Sequence, residues 1–376
     1  MDKGTRRDEP AAPAGLPVFD GHNDALLAML RDPARSLLER SDAGHLDLPR
    51  AKEGGFAGGM FAVFVPSGKR SAPRPRAGQD GYEVPFPRSP ALAPAQRVAG
   101  AMIASLFRTE RASGGRLEVV RDVAQLQTCL RQGVLAAVLH LEGAEPIDPG
   151  LDALEVLYQA GLRSLGIVWS RPNAFGCGVP FKFPGSPDLG PGLSDAGKGL
   201  VRACNELGVL IDLSHLNAKG FWDVARLSDA PLVATHSNAH ALCPVSRNLT
   251  DEQLSAIRDS GGLVGVNFAV SMLRPDGRND ADMPLEILVR HVDHLLERVG
   301  QDGVGFGSDF DGTTVPSAIG DAAGLPRLLE ALRAHGYDDA LLRKLCFANW
   351  LRVLGRTWRA PSAAAPALSS LEATPA

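Results

Sequence analysis

Eight short apolar runs, spread between residues 16 and 309, constrain this chain more than any other feature. They are LPVFD (16–20), GGMFAVFV (58–65), VLAAVLHL (134–141), RSLGIVW (163–169), GVLIDLS (208–214), PLVATH (231–236), GLVGVNF (262–268) and GVGFGSD (303–309). Near-continuous runs without strict alternation suit parallel strands buried on both faces. The segments between them have helical spacing. In DALEVLYQAGL, Leu154, Leu157 and Tyr158 recur at helical intervals and Gly161 is placed to stop the helix. In LTDEQLSAIRDSGG, Thr250 and Gln253 form a capping box and Gly261 a stop. Eight strand-plus-helix units predict an α/β fold, a (β/α)8 TIM barrel. An open doubly wound sheet would ordinarily carry a Gly-rich phosphate loop after an early strand, and no G-x-G-x-x-G stands there.

The 376 residues could make two ordinary domains, but α/β barrels often exceed about two hundred residues as one unit. The expected layout is a disordered N-terminus (1–14), a single catalytic barrel (15–360) and a disordered C-terminal tail (361–376). A long Pro- and Gly-rich insertion at about 66–94 reads as a lid or a floppy loop. With 22% charged residues and a net charge of −4, the chain has no basic field to attract nucleic acid. Its five cysteines are scattered and never form a CxxC pair, so neither a disulfide framework nor a thiolate zinc site is indicated. With no signal-peptide core and no membrane-length apolar stretch, the expected location is the cytoplasm.

Barrel enzymes place their chemistry at the C-terminal ends of the strands. The first run leads into Asp20, His22 and Asp24, the third into His140 and Glu142, and the fifth into His215. The sixth ends in His236, and the eighth leads into Asp309 and Asp311. Singly, each has a structural explanation: Asp20 or Asp24 could cap the following helix, Glu142 could pair with a surface base, and a strand-end His could be a hydrogen-bonded core residue. Gathered at one pole, they are hard to explain as unpaired polar groups. Imidazoles and carboxylates without thiolates suit zinc or a similar divalent ion. A catalytic zinc needs only about three protein ligands, so His22, Asp24, Glu142, His215 and His236 imply two metals. Glu142 would bridge ions about 3.5–4 Å apart, with His22 and Asp24 completing one shell and His215 and His236 the other.

The motifs DGHND, HLEGAEPI, GVLIDLSHL, ATHSNAHALCPVSRN and GFGSDFDG stand in that order. They resemble those of the zinc-dependent membrane (renal) dipeptidases, peptidase family M19, and their bacterial relatives in the amidohydrolase superfamily. The likeness runs from about Leu16 to Trp358. It implies hydrolysis of a dipeptide amide bond, L,L and also L,D, by water activated at two Zn2+ ions. It implies the same five ligands, makes Asp309 the catalytic acid/base, and gives Arg247 the dipeptide's terminal carboxylate. It also implies a homodimer, although no residue by itself marks an interface.

One position departs from the pattern. Where the renal-type enzymes carry a His that contacts substrate and steadies the oxyanion, this chain reads GIVWSRPNAFG, with Trp169. An indole donates through one N–H and carries no positive charge. Oxyanion stabilisation would then fall to the zinc, Asn173, Arg171 or a rearranged loop, and Trp169 is either a substrate contact or a packing residue. His45 and Asp47 repeat the His-x-Asp spacing but follow a polar segment, so a cap or surface role is expected. His291 and His294 share a helix face and read as surface or supporting residues, as does His240. The competing functions are another amidohydrolase-type reaction on a carboxylate-bearing amide or lactone, and a catalytically weak metal-binding homologue. His-x-Asp in the first motif, rather than His-x-His, and Arg247 favour the dipeptidase.

Overall fold

The computed structural model describes residues 15–68, 76–78 and 81–358. All eight runs are strands: β1 (Val18–Asn23), β2 (Phe56–Phe64), β3 (Leu135–Glu142), β4 (Leu162–Gly166), β5 (Leu210–Asp212), β6 (Val233–Ser237), β7 (Leu263–Val266) and β8 (Val304–Phe306). Each pairs in parallel with the next, and β8 returns to β1 through Phe306 and Asp20, so the sheet closes into a barrel. Helices lie between the strands. The helix Asp152–Ala160 ends at Gly161, whose φ of 114° is open to glycine, and the helix Asp251–Asp259 starts with the reciprocal Thr250–Gln253 capping box.

The alternation along β3 separates the inside of the barrel from the outside. Leu135, Ala137, Leu139 and Leu141 join the large core between sheet and helices. Ala136 and Val138 join a smaller cluster with Phe19, Met60, Leu210, Val233 and Leu263, which is the inner face. His140 and Glu142 continue that inner register, so the strand delivers both into the barrel. At the other end of the interior Trp350, fully buried, donates its indole N–H to Phe306 O at 3.1 Å. A Cβ on Gly305 would lie 2.6 Å from its Nε1, and one on Gly21 would lie 2.5 Å from its ring, so both strands need glycine there.

Two features were not legible as strands. Leu117–Val119 pairs with the first half of β3, upstream of the β3–β4 pairing. Within the supposed irregular stretch 66–94, Arg76–Gly78 and Gly81–Val84 form a hairpin, and the second of these pairs antiparallel with Phe181–Phe183. Tyr82 stacks on Phe183 across that pairing, with ring centroids 6.2 Å apart. The termini 1–14 and 361–376 lie outside the described residues. No helix among the described residues is long and apolar enough to cross a membrane.

Candidate metal centre and active site

Strand ends bring the sequence-predicted ligands together. His22 stands near the end of β1 with Asp24 just beyond it, Glu142 ends β3, His215 follows β5, His236 lies in β6, and Asp309 follows β8. All six are buried. Glu142 is central: its Oε1 lies 3.1 Å from His215 Nε2 and 3.8 Å from His236 Nε2, while Oε2 lies 3.8 Å from His22 Nε2. His22 Nε2 is also 3.8 Å from Asp24 Oδ2, and the Nε2 atoms of His215 and His236 face each other at 3.1 Å. Ligand atoms of His22, Glu142 and His236 fall within 4.8 Å of one another, as do those of His22, Asp24 and Asp309.

The backbone is bent to make this possible. His215, Asp309 and Asp311 hold left-handed φ values of 68°, 59° and 69°. Such values are uncommon outside glycine and cluster at functional sites. The β8–β1 seam places Asp309 beside His22, because Asp309 N donates to His22 O at 3.0 Å and Asp24 N to Phe310 O at 2.8 Å. Asp20 does not cap the next helix. Its carboxylate accepts from the backbone N–H and the hydroxyl of Ser308, locking the same seam. Asp24 occupies the N-cap position of the helix Ala25–Arg31 but makes no side-chain cap bond.

That free carboxylate is one of several atoms pointing to a cation. Asp24 Oδ1 and both ring nitrogens of His22 are buried without a hydrogen-bond partner. His215 and His236 have their outer nitrogens engaged, Nδ1 to Ser170 Oγ and to Thr235 Oγ1, each at 2.8 Å, which leaves both Nε2 atoms facing inward. Burial, with Arg247 and His22 nearby, keeps both imidazoles well below the ordinary histidine value, in the neutral form that binds metal. Burial pushes Glu142 up to about 8 and Asp309 up to about 6. Burial alone would lower His22, but Glu142, Asp24 and Asp309 raise it to about 10. Three carboxyl groups crowded here resist ionising together with only His22 and Arg247 to offset them, and with the inward-facing imidazoles they fit a divalent metal.

A family model described as membrane dipeptidase, peptidase family M19, matches residues 11–365. The chain belongs to peptidase family M19. A metallopeptidase from Rhodobacter sphaeroides, solved with a phosphinate mimic of the dipeptide L-Ala-D-Ala, is 55% identical. The match covers 91% of this chain and 99% of that one, with a TM-score of 0.87. The M19 metallopeptidase dipeptidase AC is 56% identical, with the same coverage and TM-score. A Klebsiella pneumoniae protein described by its place in the pqqA 5′ region is 55% identical over 247 residues, 66% of this chain and 91% of its own length.

Around these side chains, this M19 chain sorts its other polar residues. Arg247 is buried and uses Nη1 on Ser237 Oγ and Nη2 on His236 O, each at 2.9 Å, and its Nε has no partner. Asn267 holds Asp309 Oδ2 at 3.0 Å. Trp169 is half-buried between Phe64 and Phe181, at centroid distances of 5.0 and 5.6 Å, and its ring is 5.9 Å from that of His215. It therefore packs and also walls the site. Asn173 and Arg171 are committed elsewhere. The Asn173 amide donates to Ile167 O and accepts from the N–H groups of Phe175 and Gly176, while Arg171 pairs with Glu145 at 2.7 Å and reaches Ser67 and Val65. These bonds tie both side chains to the surrounding loops.

The remaining histidines have structural partners. Asp47 caps the helix Leu48–Gly54, and His45 exchanges backbone and ring bonds with Asp311. His294 pairs with Asp251, and His240 reaches Gly185 O. His291 is fully buried rather than on the surface. Sequence reasoning missed Asp212, Thr235, Ser170 and Asn267. Asp212, Thr235 and Asn267 had a usable signal, each a polar residue set inside an otherwise apolar run.

Proposed function

We propose that this chain is a dipeptidase that hydrolyses the amide bond of dipeptides with a free C-terminal carboxylate, L,L and L,D, on a pair of zinc ions. Glu142 carries this reading, because its two oxygens face different imidazoles, His215 and His236 on one side and His22 on the other. His22 and Asp24 would hold one ion and His215 and His236 the other, with Glu142 placed to serve both. Bound there, the pair would lower the pKa of water to about 7 and polarise the scissile carbonyl.

The protein's own groups do the rest. Arg247 has two of its guanidinium N–H groups in use, which leaves the others, Nε among them, for the terminal carboxylate. Asp309 is steadied through Oδ2 by Asn267, and Oδ1 is left to take a proton from water and return it to the leaving amine. Burial raises Asp309 to about 6, near the operating range of an acid/base residue. Trp169 and Phe181 wall off water beside His215. Cleavage of L,D as well as L,L dipeptides is supported by the Rhodobacter sphaeroides relative, solved with its L-Ala-D-Ala mimic. All five cysteines are free and buried, which suits the reducing cytoplasm we propose as its location.

The test is zinc content together with cleavage of L,L and L,D dipeptides, native against Asp309→Asn. The reading predicts two zinc ions per chain in both proteins and a kcat lower by about 10²–10⁴-fold in the variant. Metal-free protein after reconstitution would remove the ligand assignment. Metal-loaded protein that leaves every dipeptide intact would remove the substrate class.

A further inference from the structure

We infer that Asp212 and Thr235 form a hydrogen-bond relay that fixes the tautomer of His236, and so are positioning residues for the second metal. The inference rests on the proposed ligand role of His236. Asp212, the last residue of β5, is buried, and its Oδ1 accepts from Ser214 N at 2.9 Å and Thr235 N at 2.8 Å. Its Oδ2 accepts from Thr235 Oγ1 at 2.6 Å. A threonine hydroxyl has one proton. With that proton given to Asp212, Thr235 Oγ1 can only accept from His236 Nδ1, 2.8 Å away. The imidazole is then protonated at Nδ1, and the Nε2 lone pair faces Glu142 and His215. Ser214 Oγ accepts from His236 N at 3.1 Å, pinning the backbone of the same residue.

The relay makes a prediction that packing alone does not. In Asp212→Asn, the two backbone N–H groups still require an oxygen at the Oδ1 position, so the new NH₂ must occupy the Oδ2 position and donate to Thr235. The threonine proton then turns to His236 Nδ1, and the proton of the neutral ring moves to Nε2, where the metal belongs. Thr235→Val removes the hydroxyl instead and leaves the tautomer unfixed.

The experiment is Zn2+ titration of metal-free protein against a chromophoric chelator for the native chain, Thr235→Ser, Thr235→Val, Asp212→Asn and the Thr235→Val/Asp212→Asn double variant. Melting of each metal-free protein is measured alongside. Thr235→Ser should keep native affinity, and Thr235→Val should weaken one of the two sites by about 10–100-fold. Asp212→Asn should weaken the same site further, and that extra loss should vanish in the double variant, which has no hydroxyl to transmit it. Additive losses, or native zinc affinity in Asp212→Asn, would overturn the relay. If Thr235→Val does not fold, Asp212→Asn measured against the native chain and Thr235→Ser decides alone. A native chain that binds no zinc would fail the ligand assignment itself, a distinct result.

Discussion

A Cβ on Gly312 would stand 2.1 Å from Asp24 Oδ2 and 2.3 Å from Asp309 Oδ1, so the two carboxylates lie directly over a position that has no side chain. Gly312→Ala should push both aside without disturbing the barrel. Shifts of that kind can lower kcat by about 10²-fold. The check is kcat and zinc content at saturating metal, and native values of both would show that the carboxylates do not need this spacing. Arg247→Lys should abolish a preference rather than the reaction. The native chain is expected to favour free over amidated dipeptides, and a lysine without the planar fork should lose that preference by about 10–100-fold, mainly in KM. Equal discrimination by native and variant would clear Arg247 of the carboxylate. At this scale the residues that gather at the barrel mouth were readable because each follows an apolar run, and strand ends in a barrel converge. The commitments of Asn173 and Arg171 were not readable: Asn173 depends on how the loop after β4 folds back on itself, and Arg171 on residues that follow β2 and β3.

Elements are held by a few buried polar ties, and His291 is one. The helix Leu285–Val299 places it where Nδ1 accepts from Ala239 N at 3.2 Å and Nε2 donates to Leu273 O at 2.9 Å. Both bonds require a neutral ring, since a second N–H would point at the Ala239 amide. Burial holds His291 down at about 4, against about 6.5 in the unfolded chain. The unfolded state therefore binds the extra proton first. Stability from this group is complete above about pH 6.5 and declines as pH falls towards 4, by at most about 3 kcal/mol. Melting between pH 8 and pH 4.5 should show a shallower loss in His291→Gln than in the native chain, and parallel curves would remove the effect. Helix periodicity put His291 and His294 on one face but could not show which would be covered. The hairpin within 66–94 escaped for a related reason: strands of three and four residues lack a periodic signal, and their pairing partner, Phe181–Phe183, lies about a hundred residues away.

On the scale of the whole molecule, the proposed metal ligands come from parts of the chain that only closure of the barrel brings into contact. They come from β1 and the residue beyond it, from β3, from the turn after β5 and from β6, so no unfolded segment offers the complete set. Ligand bound only by the native state stabilises it by about 4 kcal/mol per site when free zinc is a thousandfold above Kd. Without the metal, Asp24, Glu142 and Asp309 remain buried together, with His22 and Arg247 as the cations among them. A chelator should therefore lower the melting temperature by several degrees, readily reversed by zinc. Glu142→Gln tests the origin of the shift. It leaves the fold and the other four proposed ligands in place but removes the carboxylate proposed to join the ions, so most of the response to chelator and zinc should disappear. A large response that persists in Glu142→Gln would mean that the ions bind elsewhere, and that the two halves of the site are not joined through this carboxylate.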